Sequence, residues 1–300
     1  MKTSKAYRCI SYKMERKPHW LKANRLGSKK ASEINAYLKS LNLHTVCESA
    51  KCPNRGECFD RGTATVMILG EVCTRNCKFC AVEKSKGSLL PADQKEPENI
   101  AEMTSKLDLK HLVVTTVTRD DLEDGGASQF VKTINCVHAR NKNVTIEVLI
   151  SDLEGDWVSL NKIVEAKPDI INHNLETVPR LYPGVRPMAN YQRSLELLTK
   201  VKEFDPKMIT KSGIMVGVGE TENEVTDLMK DLRNIDCNIL TIGQYLAPSS
   251  EHLQVVEYVH PEVFDRYRVI GEELGFLFVE SGPLVRSSYH AERAREYIKI

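Results

Sequence analysis

The sequence predicts an α/β protein built from repeated βα units. Three observations carry this: six short, mostly β-branched apolar runs, amphipathic helical patterns between them, and a cysteine-rich loop just after the first run. The runs at 64–69, 112–116, 144–149, 169–174, 209–216 and 239–245 read as buried strands, being short and apolar with little alternation. Alternating strands and helices imply a parallel sheet. Six such units make either a partial (β/α) barrel or an open doubly wound sheet, and the pattern is compatible with both.

Composition narrows the class. The chain has 300 residues, 42 Lys and Arg against 41 Asp and Glu, and 41% hydrophobic residues. That length buries a sizeable core. A net charge of +1 gives no general argument for nucleic acid. No stretch approaches the ~20 apolar residues of a membrane span, and the start lacks the apolar region of a signal peptide. Six of the nine cysteines lie inside residues 47–80, which points to metal ligation in a reducing compartment, the cytoplasm, rather than to disulfides. Cys9, Cys136 and Cys237 read as incidental thiols.

Taken in order, residues 1–30 hold ten Lys/Arg and one acid, Glu15. This segment reads as a solvated basic arm, with docking to an acidic partner as its functional alternative and a transit peptide as a third, disfavoured because the arm is richer in Lys than in Arg or Ser. Ser32 is expected to cap a helix with Ile34, Tyr37, Leu38 and Leu41 on its apolar stripe. The first strand follows, then helical patterns at Ile100/Met103/Leu107, Phe130/Ile134/Val137, Leu160/Ile163, Tyr191/Leu195/Leu198 and Val225/Leu228/Leu232/Ile235. Thr221 and Glu224 form a capping box before the last of these. A final helix starts at Pro261 and stops at Gly275, with a further strand near 276–280.

Ligand chemistry in such folds belongs at the carboxyl ends of the strands. Thr115, Thr116, Glu147, Asn172, His173, Asn174, Glu176 and Lys211 are expected at that rim, where each is also an ordinary strand-end residue. Gly217-Val-Gly219 lacks the third glycine of a dinucleotide fingerprint. Asp124-Gly125-Gly126-Ala127 reads as a close backbone approach to a ligand or as a turn.

The cysteines carry the chemistry. Cys73, Cys77 and Cys80 stand at C-x3-C-x2-C spacing, and Cys47, Cys52 and Cys58 at C-x4-C-x5-C. Three thiolates suit a cubane iron–sulfur cluster with one iron left open. Structural zinc prefers four ligands in paired sets, so one zinc site accounts poorly for two incomplete triads; a binuclear zinc centre is the alternative.

The Cys73-Thr-Arg-Asn-Cys77-Lys-Phe-Cys80 loop resembles that of radical S-adenosylmethionine (SAM) enzymes. With the N-terminal triad, Lys17-Pro-His-Trp-Leu-Lys22, Gly70-Glu-Val-Cys73, Asn172-His-Asn-Leu-Glu-Thr-Val178, Val185-Arg-Pro187 and the Arg286-Ser287-Ser288-Tyr289-His290 tail, nearly the whole chain resembles the lipoyl synthases. That resemblance implies a partial (β/α)6 barrel at 63–260, an N-terminal extension at 1–62 and a C-terminal extension at 261–300. It implies two 4Fe–4S clusters. Cys73, Cys77 and Cys80 would hold the one that cleaves SAM; Cys47, Cys52, Cys58 and Ser288 would hold an auxiliary one that supplies sulfur. Phe79 would lie near the adenine, with Thr116, Glu147, Asn172 and Arg186 as further cofactor contacts. The wider superfamily has Glu after its glycine pair where this chain has Ala127, which leaves the partner of the methionine amino group open. The implied reaction inserts two sulfur atoms into an octanoyl chain on a lipoyl carrier domain. The implied partners are that domain, an electron donor such as ferredoxin or flavodoxin, and an iron–sulfur carrier for cluster repair, with neither nucleic acid nor membrane. A methylthiotransferase and a zinc-binding interaction protein are the rival readings.

Overall fold

Thr63–Ile68 are buried along their whole length, as a strand covered on both faces must be, and they form β1. It opens a seven-stranded sheet with β2 (His111–Thr116), β3 (Thr145–Leu149), β4 (Ile170–Asn172), β5 (Ile209–Val216), β6 (Ile239–Gln244) and β7 (Phe278–Gly282). This computed structural model describes residues 17–22, 29–49, 52, 54–294 and 296. The strands lie in chain order and every neighbouring pair is parallel. The order follows the chain without the reversal of a doubly wound sheet, so the partial-barrel alternative is the one realised, left open between β1 and β7. The seventh strand comes from within 261–300, the segment expected to be an extension.

Helices cover the convex face. α1 spans Lys29–Ser40, and two short helices follow, α2 (Val46–Ser49) and α3 (Arg55–Asp60). The crossovers carry α4 (Glu96–Lys106), α5 (Ala127–Arg140), α6 (Trp157–Glu165), the short α7 (Tyr182–Val185), α8 (Tyr191–Phe204), α9 (Glu222–Asn234) and α10 (Pro261–Glu273). The Thr221–Glu224 capping box is present in both directions. Ser32 is not a cap, because α1 begins three residues before it. The basic arm lies outside the described residues except for 17–22, 29 and 30.

Period-two alternation sorts the strands into two faces. Leu112, Val114, Ile146, Val148, Ile171, Val216, Leu240, Ile242 and Val279 join one apolar core with the helices. Their neighbours His111, Glu147, Asn172, Lys211, Thr241 and Glu280 face the concave side. The floor of that side is apolar: Ile170 and Ile239 pack with Ala294, Ile209 and Phe278.

Ala294 reaches the floor because the segment after β7 runs down the open side of the barrel. It begins near the rim, where the Leu284 carbonyl accepts from Asn54 Nδ2 at 2.6 Å. Lower down, His290 lies between Glu57 of α3 and Glu280 of β7. Glu292 then meets Arg61 and accepts from Thr63 Oγ1 at 3.0 Å at the start of β1. The tail thus fills the gap between the two edge strands.

Gly243 makes this path possible, since a Cβ there would collide with the Val285 carbonyl, a backbone atom with little room to yield. Gly243→Ala should therefore lower stability by roughly 1–3 kcal/mol, as overpacking does. Urea denaturation of the cluster-free chain measures this, and an unchanged midpoint would contradict the tail's position.

Candidate functional site

The loop carrying Cys73, Cys77 and Cys80 leaves the carboxyl end of β1, and several unrelated groups hold it. Leu69 takes φ +67°, and its N–H donates to Glu96 Oε2 at 3.1 Å, which also accepts from Gln129 Nε2. Val72–Cys73 pairs with Glu83–Lys84 in a short parallel ladder that closes the loop at its base. At its tip the Lys78 N–H donates to the Val185 carbonyl, and the Lys78 carbonyl accepts from Leu253 N–H, both at 2.9 Å.

Arg75 fixes the middle of the loop. Its guanidinium, 4% exposed, donates to both oxygens of Asp120 at 2.8 and 2.9 Å and lies 2.6 Å from Asp152 Oδ1. Asp152, fully buried, also accepts from Arg193 Nε at 2.8 Å. Asp120 follows β2 and Asp152 follows β3, so one cation ties the cysteine loop to two neighbouring rim loops. Sequence reasoning missed all four residues, although the strand-end rule extended by four positions reaches both aspartates.

Burial raises the Cys77 and Cys80 thiols above their ordinary range, opposed at Cys77 chiefly by the Arg186 guanidinium and at Cys80 by the Lys84 ammonium. Lys84 Nζ also donates to the Cys80 carbonyl at 3.1 Å. Arg186 is buried, donates to the Asn174 carbonyl at 2.9 Å, and leaves its Nε without a partner among the described residues. Phe79 is half-buried between the two cysteines.

The second triad is drawn together by α2 and α3. Cys52 and burial push the Cys47 thiol well up, while Cys47, the Asn54 backbone and Arg286 outweigh burial at Cys52 and bring it down to about 6. Burial raises Cys58 to about 12. Thr65 of β1 is close enough to Cys47 to lower it slightly, which sets this triad beside the first strand.

All six cysteines are free thiols. Each triad is drawn close enough for its members to shift one another's ionisation, and each has a cation beside it. That donor set fits a thiolate-ligated cluster, whose net negative charge the cations offset. Among the described residues no three His, Cys, Asp or Glu side chains are arranged to hold a metal ion.

Ser288 lies within the tail, and its neighbours meet the second triad: Arg286 sits beside Cys52, while Tyr289 Oη donates to Glu57 Oε2 at 3.1 Å, one residue before Cys58.

The rim expectation needs correction at two positions. Glu147 and Lys211 do not stand at strand ends but pair with each other inside the barrel, at 2.9 and 3.0 Å, with His111 Nε2 3.3 Å from the same carboxylate. Both fall in the interiors of their strands, and alternation reports which face a residue takes but not its height. Asn172 is buried above them, donating to Glu147 Oε1 at 2.8 Å, while its Oδ1 finds no partner among the described residues. Thr116 does end β2, its hydroxyl donating to the Val117 carbonyl at 2.6 Å. His173 is sealed in the interior, held by the Ile150 carbonyl and Ser194. The Gly125-Gly126 pair is a turn: a Cβ on Gly126 would strike Leu69 and one on Gly125 would strike Leu153, and Asp124 accepts from Gly126 N–H and Ser128 N–H.

The Radical SAM superfamily pattern matches residues 67–232. The lipoyl synthase of Caldanaerobacter subterraneus subsp. tengcongensis is 60% identical over 277 residues, 92% of this chain and 96% of that protein. The chain belongs to the lipoyl synthase family. The family's enzyme from Alkaliphilus metalliredigens is 52% identical over 283 residues, covering 94% of this chain and 97% of its own. Among solved structures, a maturase of the FeFe-hydrogenase superposes with a TM-score of 0.60 at 14% identity, over 88% of this chain and 66% of that one. Methylornithine synthase gives 0.54 at 13% identity, over 84% and 82%. These two show the shared fold.

Two predictions follow from the buried charges. Arg75→Ala leaves Asp152 buried beside Arg193 alone, and losing one partner of such a pair costs about 3–5 kcal/mol; urea unfolding of the cluster-free chain reads it, and a loss under about 1 kcal/mol would refute the anchor. The second concerns acid. Burial alone would raise Glu147 and Asp152, but Lys211 with His111, and Arg75 with its neighbours, outweigh it and hold each at about 2. Groups depressed in the folded state stabilise it above their ordinary values near pH 4 and lose that contribution as pH falls toward 2. The urea midpoint should therefore drop steadily from about pH 4.5 to about pH 2; a flat profile across that window would contradict both pairings.

Proposed function

We propose that this chain makes lipoyl groups by inserting two sulfur atoms into an octanoyl chain carried on a lysine of a lipoyl domain. In this reading Cys73, Cys77 and Cys80 hold the cluster at which SAM is cleaved, and Cys47, Cys52, Cys58 and Ser288 hold an auxiliary cluster that donates sulfur. When bound, these groups supply the radical that takes hydrogen from an unactivated carbon and the sulfur that replaces it. The observation that carries the reading is the meeting of chain segments from opposite ends of the fold: the tail bearing Ser288 is held against α3, beside a second thiol triad.

The protein's own residues position and shield. Arg75 and Glu96 fix the loop that presents the first triad. Arg186, with an unpartnered Nε beside Cys77, offers a cation to a carboxylate bound there. In this reading Phe79 and Thr116 would contact the adenosyl group, and Asn172 would offer its Oδ1, unpartnered among the described residues, to a hydroxyl donor. The role of Glu147 is indirect: its carboxylate is occupied by Lys211, and it orients Asn172. Ser287 is engaged by the two asparagines, and the family resemblance assigns the iron ligand to its neighbour Ser288.

The reading divides the chain into a cluster-bearing segment at 1–62, the barrel at 63–260 and a segment at 261–300 that adds the seventh strand and the serine. Its partners are an octanoylated lipoyl domain, an electron donor such as ferredoxin or flavodoxin, and an iron–sulfur carrier that restores the auxiliary cluster, in the cytoplasm. No helix among the described residues is long and apolar enough to cross a membrane.

Anaerobic purification with single substitutions tests the division of labour. Wild-type protein should carry about eight irons, as two cubanes require. Cys77→Ala should abolish deoxyadenosine formation and keep the auxiliary cluster, whereas Cys52→Ala should keep cleavage of SAM and form no sulfur-containing product. Equal loss of cleavage in two folded variants would overturn the assignment.

A further inference from the structure

The serine that precedes Ser288 is held by a chain of polar groups rising from the barrel interior. Lys211 Nζ donates to both oxygens of Glu147, at 2.9 and 3.0 Å, and neither side chain is more than 2% exposed. A carboxylate only accepts, so Asn172 must turn its NH2 toward Glu147 Oε1, 2.8 Å away. The second proton of that NH2 goes to Ser287 Oγ at 3.0 Å. The Ser287 hydroxyl, already accepting, donates to Asn174 Oδ1 at 3.1 Å. Asn174 then donates to Glu176 Oε1 at 3.0 Å. The buried charge pair thus fixes the direction of every later donor, and the unpartnered Asn172 Oδ1 is the remainder of that constraint.

We propose that Ser287 is a positioning residue: clamped between Asn172 and Asn174, it sets where Ser288 sits over the Cys47, Cys52 and Cys58 thiols. This rests on the reading of Ser288 as an iron ligand. Ser287 touches neither cluster nor substrate. Its hydroxyl instead holds the tail to strand β4 and the loop beyond it, while Arg286 and Tyr289 on either side face the triad segment. Removing the hydroxyl breaks the two hydrogen bonds that tie the tail to the barrel wall one residue before Ser288.

Hydrogen exchange on the full chain, combined with iron release, tests this. In the cluster-free protein, Ser287→Ala should speed exchange of the 284–292 amides roughly tenfold, as loss of two hydrogen bonds in a locally opening segment does. Ser287→Thr, which keeps the hydroxyl, should restore protection, and Ser288→Ala should exchange like wild type because Ser288 acts only on iron. In the loaded protein carrying Cys77→Ala, where only the auxiliary cluster remains, Ser287→Ala and Ser288→Ala should both speed iron release to a chelator several-fold. Wild-type exchange in Ser287→Ala would overturn the proposal. So would fast iron release from Ser288→Ala with normal release from Ser287→Ala, which spares the Ser288 reading. If neither variant alters release, the ligand role of Ser288 fails and the positioning role falls with it.

Discussion

Removing an ammonium and a carboxylate from water costs several kcal/mol for each ion, and only close pairing with further hydrogen bonds repays it. Lys211 and Glu147 meet that condition inside the barrel, each hidden from solvent and the carboxylate further contacted by His111 and Asn172. The pair spans from β5 to β3 across β4, which presses the concave face together. It also gives that face a fixed electrical polarity, so the amides above have one orientation that satisfies it. Asn172, Ser287 and Asn174 inherit their positions from a charge pair below the rim.

A second buried charge governs the cysteine loop. Arg75 sits inside the motif and reaches two rim loops at once, through Asp120 and Asp152. Thiols that must face one another cannot rely on a hydrophobic core to place them, because their loop crosses the mouth of the barrel. An arginine can, since its planar fork makes several directed bonds and keeps its charge when buried. The two triads therefore depend on different devices: the first on an arginine clamp, the second on short helices pinned by the tail.

Much of this was legible in the chain. The β-branched runs became strands within a few residues, and the Thr221–Glu224 box capped its helix, because both signals are local. The cysteine spacings reported three-thiol sets for the same reason. What stayed hidden depends on distance along the chain. Ser32 reads as a cap, yet α1 begins before it. Glu147 and Lys211 read as rim residues, since alternation separates faces without giving depth. The path of the tail left no pattern, because an irregular segment held by single contacts such as Asn172 to Ser287, 115 residues apart, has no periodicity to read.

That path bears on how the protein is made. Every strand of the sheet precedes the tail in the chain, and chains are synthesised from the N-terminus. The sheet and its helices pair locally as they emerge, while the gap between β1 and β7 stays open until Glu292 reaches Thr63 and Ala294 reaches the floor. The first of these contacts joins residues 229 positions apart, the kind that form late because loop closure precedes any gain. The barrel is thus left ajar on the ribosome, and its final wall arrives after all the others.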